Sequence, residues 1–124
     1  MVRITVSIDV PDLERATNFY VAALGCAKCR DEPPHMTVLF AGNVEIYLLE
    51  KAEGSSPLLN GKAVRSYRRH WTPVHLDFVV EDIEASLASV LAAGGSHEGG
   101  DSGEWGQIAY CADPFGNGFD LIKE

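Results

Sequence analysis

Two stretches of this chain carry nearly the same pattern. Residues 4–25 read ITVSIDVPDLERATNFYVAALG, and residues 74–95 read VHLDFVVEDIEASLASVLAAGG. They align without a gap at an offset of 70 positions, which sets Val10 on Val80, Asp12 on Asp82, Glu14 on Glu84 and Gly25 on Gly95. Apolar residues replace apolar ones at Ile4/Val74, Val6/Leu76, Ile8/Phe78 and Leu13/Ile83. Two copies are too few for a solenoid, because stacked repeats need about three units to bury a continuous core. The repeat therefore constrains the fold to a duplicated module.

Each copy opens with period-2 alternation. Val6, Ile8 and Val10 point one way and Thr5, Ser7 and Asp9 the other; Leu76, Phe78 and Val80 likewise oppose His75, Asp77 and Val79. Asp12 and Asp82 stand where a helix N-cap is needed. Helical periodicity then puts Leu13, Ala16, Tyr20, Ala23 and Leu24 on one face, and Ile83, Leu87, Val90 and Leu91 on another. Phe19 and Tyr20 are expected in the core. Gly25 and Gly94–Gly95 suit helix C-caps.

Further strands are expected at Cys26–Asp31, His35–Ala41 and Val44–Glu50, then at Gly95–Glu98, Trp105–Ala112 and Gly118–Glu124. Both halves thus read βαβββ. The fold class is α+β, with module one at about 1–50, a connector at about 51–73 and module two at about 74–124, all in a single domain spanning 1–124. A helical turn is expected around Lys62–Arg69. In 113–118, Pro114 fixes φ and Asn117-Gly118 tolerates positive φ, so this segment reads as a turn.

The composition excludes several function classes. The chain has 10 basic and 18 acidic residues, a formal charge of −8. That balance disfavours a nucleic-acid or anionic-membrane partner. The apolar runs are too short to span a bilayer, and MVRITVSIDV has no signal-type apolar region, so a cytoplasmic location is expected. Three cysteines do not suggest a disulfide framework. Cys26 and Cys29 form a lone C-x-x-C that follows a helix instead of opening one, the wrong side for a low-pKa thiol.

Three motifs together resemble the vicinal oxygen chelate superfamily, the glyoxalase/bleomycin-resistance/dioxygenase family. They are VPDLERATNFYVAALG, VHLDFVVEDIEASLASVLAAGG and DPFGNGFDLI at 113–122. The resemblance covers essentially the whole chain. It implies tandem βαβββ modules forming a cup-shaped mixed sheet, frequent homodimers and, in many members, a divalent metal in the cup. The metal positions implied in the second module are His75 and Asp120, both ordinary ligand types. Those in the first are Thr5 and Tyr47; a threonine hydroxyl is a weak ligand, and a tyrosine must lose a proton at a pKa near ~10. This half-set favours no cofactor over a divalent metal. A complete set would recruit His70, His35, Glu45 or Asp77.

His75 and Asp120 are accordingly the candidate catalytic pair, with His75 as acid/base and Asp120 as its carboxylate or metal partner. Thr5, Ser7, Tyr47, Asp77, Trp71 and Trp105 are candidate ligand-binding residues around them. Arg65, Arg68 and Arg69 form a basic cluster suited to an anionic ligand, a solvated face or a dimer contact. The leading expectation is a protein that binds a small organic molecule, with lyase- or isomerase-type proton transfer. Alternatives are a non-catalytic drug or metabolite sequestration protein, and a metal-dependent glyoxalase or dioxygenase with non-standard ligands.

Overall fold

The computed structural model describes residues 1–124. The chain forms two compact units, one of Met1–Val21 and Gly25–Tyr67, the other of Ala22–Leu24 and Arg68–Glu124. The elements run β1 (Val6–Val10), α1 (Leu13–Leu24), β2 (Ala27–Glu32), β3 (Met36–Ala41) and β4 (Val44–Glu50), then β5 (Leu76–Val79), α2 (Ile83–Ala92), β6 (Ser96–Gly103), β7 (Gly106–Ala112) and β8 (Gly118–Lys123). This is the expected βαβββ pattern, twice. No helix is long and apolar enough to cross a membrane.

The first unit holds a four-stranded mixed sheet in the order β1-β4-β3-β2. Strands β1 and β4 are parallel, with Val6, Ile8 and Val10 beside Ile46, Leu48 and Glu50. Val10, Ile46 and Leu48 are buried with Ala16, Phe19 and Tyr20 of α1. The helix starts as the sequence implies: the Asp12 side chain accepts from the Arg15 N–H at 3.1 Å, and Glu50 Oε2 accepts from the Leu13 N–H at 3.0 Å. Gly25 ends it at φ 67°, in the left-handed region that glycine adopts without a steric penalty.

The second unit repeats the plan, in the order β5-β8-β7-β6. Leu76 and Phe78 pair in register with Phe119 and Leu121 on β8. The rings of Phe78 and Phe119 meet edge-on at 5.7 Å. Helix α2 packs against β6, β7 and β8, and Asp82 caps it by accepting from the Ala85 N–H at 3.1 Å. Because side chains alternate, Asp77 and Val79 face the other way, together with Asp120 and Ile122.

Four expectations need correction. No helix forms over Lys62–Arg69. The backbone of Arg65 bonds instead to Gly54 and Ser55 at 2.8 Å each, and its side chain donates to Asp9 at 2.8 Å; those bonds replace helical ones. Strand β6 runs on to Gly103, because Asp101, Ser102 and Gly103 continue the ladder to Ile108, Gln107 and Gly106. Leu91 is exposed, leaving Val90 as the fully buried residue of α2. The positive φ in the 113–118 turn falls on Gly116, not on Asn117 or Gly118. That turn is organised by Asp113, whose carboxylate accepts from the Phe115 and Asn117 N–H groups and the Asn117 amide.

Candidate functional site

In the second unit, β5 runs beside β8 so that Asp77 lies directly in register with Asp120. His75 precedes β5 by one residue, and alternation sends its side chain to the same face. Its Nδ1 lies 3.0 Å from Asp120 Oδ2 and 3.3 Å from Asp77 Oδ1. One ligand atom from each of the three residues can be chosen so that all lie within 4.8 Å of one another.

Burial grades across the group. The Asp120 side chain is 2% exposed, His75 27% and Asp77 45%. An aspartate buried within a strand is disfavoured by both propensity and desolvation. Burial pushes the Asp120 carboxyl above its ordinary range, and a hydrogen bond with Asp77 and that residue's charge push the same way; His75 and Arg69 oppose them. Despite the short distances, His75 Nδ1 and Asp120 Oδ1 are buried without an aligned hydrogen-bond partner. Buried polar atoms left open in this way take a partner from outside the protein, be it water, a ligand, a proton or an ion.

Around the cluster, the Trp71 ring lies 4.8 Å from the His75 ring at 46°. Arg69 makes a two-pronged contact with Glu98, Nε to Oε2 at 2.6 Å and Nη2 to Oε1 at 2.7 Å. This pairing holds the Glu98 carboxyl below its ordinary range. Trp105 is elsewhere: it sits in the β6–β7 turn with its indole beside Gly103.

The first unit answers the same register with different chemistry. Ser7 pairs with Tyr47 as Asp77 pairs with Asp120. Thr5 is exposed ahead of β1. The Tyr47 hydroxyl donates to Glu45 at 2.6 Å, and Glu45 meets Arg3 at 3.3 Å. Of the two recruits in the second unit, Asp77 joins His75 and Asp120 and His70 does not. His35 lies by Glu50 at 3.6 Å, Glu45 is engaged as described, and the His70 ring is 2.8 Å from the Arg68 carbonyl. Cys26 is buried and its thiol is pushed up to about 11 by desolvation, whereas Cys29 is exposed. A thiol raised in this way is a poor nucleophile, so Cys26 does not act as a reactive thiolate.

Sequence reasoning named His75, Asp77, Asp120 and Trp71 but did not foresee Glu98 as the partner of Arg69. The available signal was weak: a glutamate followed by two glycines, in a strand whose register shifts between His97 and Gly99.

A search of curated proteins returns no match. Solved structures share the fold. FosX, a fosfomycin resistance protein from Listeria monocytogenes, is 14% identical with a TM-score of 0.74, covering 100% of this chain and 93% of its own. A lactoylglutathione lyase from Agrobacterium tumefaciens is 16% identical with a TM-score of 0.67, covering 98% and 92%. A glyoxalase/bleomycin resistance protein from Albidiferax ferrireducens is 21% identical with a TM-score of 0.68, covering 97% and 96%. One variant of the Listeria FosX was solved with Mn(II) and 1S,2S-dihydroxypropylphosphonic acid. The model of the glyoxalase-like domain matches residues 5–122. With the duplicated βαβββ units and a family match over nearly all its residues, the chain belongs to the glyoxalase-like domain family of the vicinal oxygen chelate superfamily.

Proposed function

We propose that this chain binds a small organic molecule at the face carrying His75, Asp77 and Asp120 and exchanges a proton with it through His75. The observation that carries this reading is the placement of His75 Nδ1 between two carboxylates, 3.0 Å from the buried Asp120 and 3.3 Å from Asp77. The negative charge of these carboxylates favours a proton on Nδ1, though no aligned hydrogen bond holds it there, and that tautomer leaves the other ring nitrogen, Nε2, as the base. Asp120 would balance the charge the ring acquires. Trp71, its ring tilted beside that of His75, would shield it from water and offer an apolar surface to the ligand.

A second reading is favoured by the unpartnered, buried Asp120 Oδ1. The same three side chains suit a divalent cation: ligands about 2.1 Å from one ion at right angles lie about 3 Å apart, near the 3.0 and 3.3 Å that separate His75 Nδ1 from Asp120 and Asp77. His75, Asp77 and Asp120 would hold it. Such an ion would polarise a ligand oxygen. Mn(II) in the Listeria FosX variant, a protein of the same fold, supports this reading.

The test is a thermal-shift screen of small metabolites and antibiotics, followed by NMR of each hit in deuterated buffer. A ligand that stabilises the protein and exchanges a carbon-bound proton with the wild type, but not with His75→Ala, is the expected result. A hit bound equally well by both proteins, without exchange, would identify a sequestration protein instead. Hits whose binding ignores His75→Ala, Asp120→Asn and Trp71→Ala alike would place the ligand elsewhere and overturn the proposal.

A further inference from the structure

We infer that Arg69 is a positioning residue for the His75 cluster: clamped to Glu98 and seated over Gly118, it fixes the segment 69–75 so that Trp71 lies against the His75 ring. The inference rests on His75 being the centre of the working site.

Residues 69–75 form no regular secondary structure. Within the segment, Thr72 Oγ1 donates to the Val74 carbonyl at 2.8 Å, a local bond that fixes no tertiary position. Trp71 is 57% exposed, so burial alone does not hold it. Its place against His75 needs an anchor nearby, and Arg69, two residues earlier, has one. The guanidinium engages Glu98 through two nitrogens and the His70 carbonyl through the third. A planar fork held at three points loses most of its freedom to swing.

Two features of the sheet look made for this contact. First, Glu98 is the extra residue of a β-bulge: His97 stands opposite Cys111 and Gly99 opposite Tyr110, with Glu98 between them. Bulges redirect a side chain out of strict alternation. Second, Gly118 is a glycine that its backbone does not demand, since its φ is not positive. Its bare backbone instead leaves room for the Arg69 guanidinium. A Cβ there would lie 2.8 Å from Arg69 Nη2 and 3.1 Å from Cζ. Gly118 precedes Asp120 by two residues on β8, so the guanidinium rests on the face that carries the cluster. The bulge supplies the carboxylate, the glycine supplies the room, and the tryptophan follows two residues later.

The experiment isolates Trp71 in a Trp105→Phe background and compares Arg69→Ala, Arg69→Lys, Glu98→Gln and Gly118→Ala. Two signals are read: acrylamide quenching of Trp71, and the His75 ring-proton resonance, which the indole shifts by its ring current. Release of the clamp is expected to raise quenching by up to about twofold, as a ring now 57% exposed becomes fully so. The His75 resonance should move toward its free position, and Arg69→Lys should recover part of both signals. Unchanged quenching and an unchanged His75 resonance in Arg69→Ala and Glu98→Gln, with native circular dichroism, would overturn the inference. Should Gly118→Ala or Arg69→Ala not fold, Glu98→Gln decides alone, because its side chain is partly exposed and keeps its size. Failure of the functional reading shows separately, as ligand binding indifferent to His75→Ala, and leaves the Trp71 signals to be judged on their own.

Discussion

Asp77 and Asp120 stand side by side on parallel strands at the register that Ser7 and Tyr47 occupy in the other unit. One copy of the module thus sets two carboxylates beside a histidine, where the other sets a serine beside a tyrosine whose hydroxyl donates to Glu45. The consequences of this contrast can be measured.

Asp120→Asn should stabilise the protein at neutral pH. Burial raises the folded-state pKa of this carboxyl. A raised pKa means that ionisation works against folding: the favourable contribution of the protonated acid is complete below the unfolded value near ~3.9 and is lost as pH rises through the folded value. Asparagine mimics the protonated form at every pH. The expected gain is on the order of 2–6 °C in Tm at pH 7, shrinking toward zero below about pH 4. Thermal melts across that range check it. A variant less stable than wild type at pH 7 would show that the His75 contact outweighs burial.

Cation binding, if the three side chains support it, should fail in steps. His75→Ala and Asp120→Asn should each weaken Mn(II) or Zn(II) affinity at least about tenfold. Asp77→Asn should weaken it less, because its carboxylate is half exposed and already competes with water. Isothermal titration of the purified protein provides the numbers. Equal affinities across all variants would place any bound ion outside this cluster.

Removal of either helix cap should cost about 1 kcal/mol. Asp12 and Asp82 hold matching backbone angles, φ −143° and −137°, and each accepts one first-turn N–H. Urea denaturation of Asp12→Ala and Asp82→Ala would test this. Matched losses are expected, because the local geometry is repeated.

Two glycines should respond very differently to alanine. At Gly25 a Cβ meets nothing within 4 Å, so Gly25→Ala pays only for its left-handed backbone, roughly 1 kcal/mol. At Gly106, with φ 133°, the Cβ would lie 2.1 Å from the Lys123 carbonyl oxygen. Gly106→Ala must therefore disturb the β7–β8 ladder, and a loss of about 3 kcal/mol or more is expected. Denaturant midpoints for the two variants should separate clearly.

The elements were legible in the sequence wherever a local rule governs them. Alternation marked β1 and β5, Asp12 and Asp82 marked the helix starts, and Gly25 marked a helix end. The connector misled because the basic, helix-favouring run Lys62–Arg69 carries no signal that Arg65 will bond to Asp9, 56 residues away. Leu91 misled because its apolar character fits a helix face that the sheet of this unit does not cover.

The sequence by itself determined the duplicated βαβββ pattern, which follows from backbone periodicity and capping, both of which act over a few residues. His75 and Asp120 were implied by the resemblance its motifs carry, not by that pattern. Tertiary structure alone decided that Asp77 and not His70 joins His75 and Asp120, that Trp71 and not Trp105 lies beside His75, and that Arg69 meets Glu98 across 29 residues. Those outcomes depend on strand register, on one bulge and on the missing side chain of Gly118. Each is set by how strands pair and pack, and no local sequence rule specifies them.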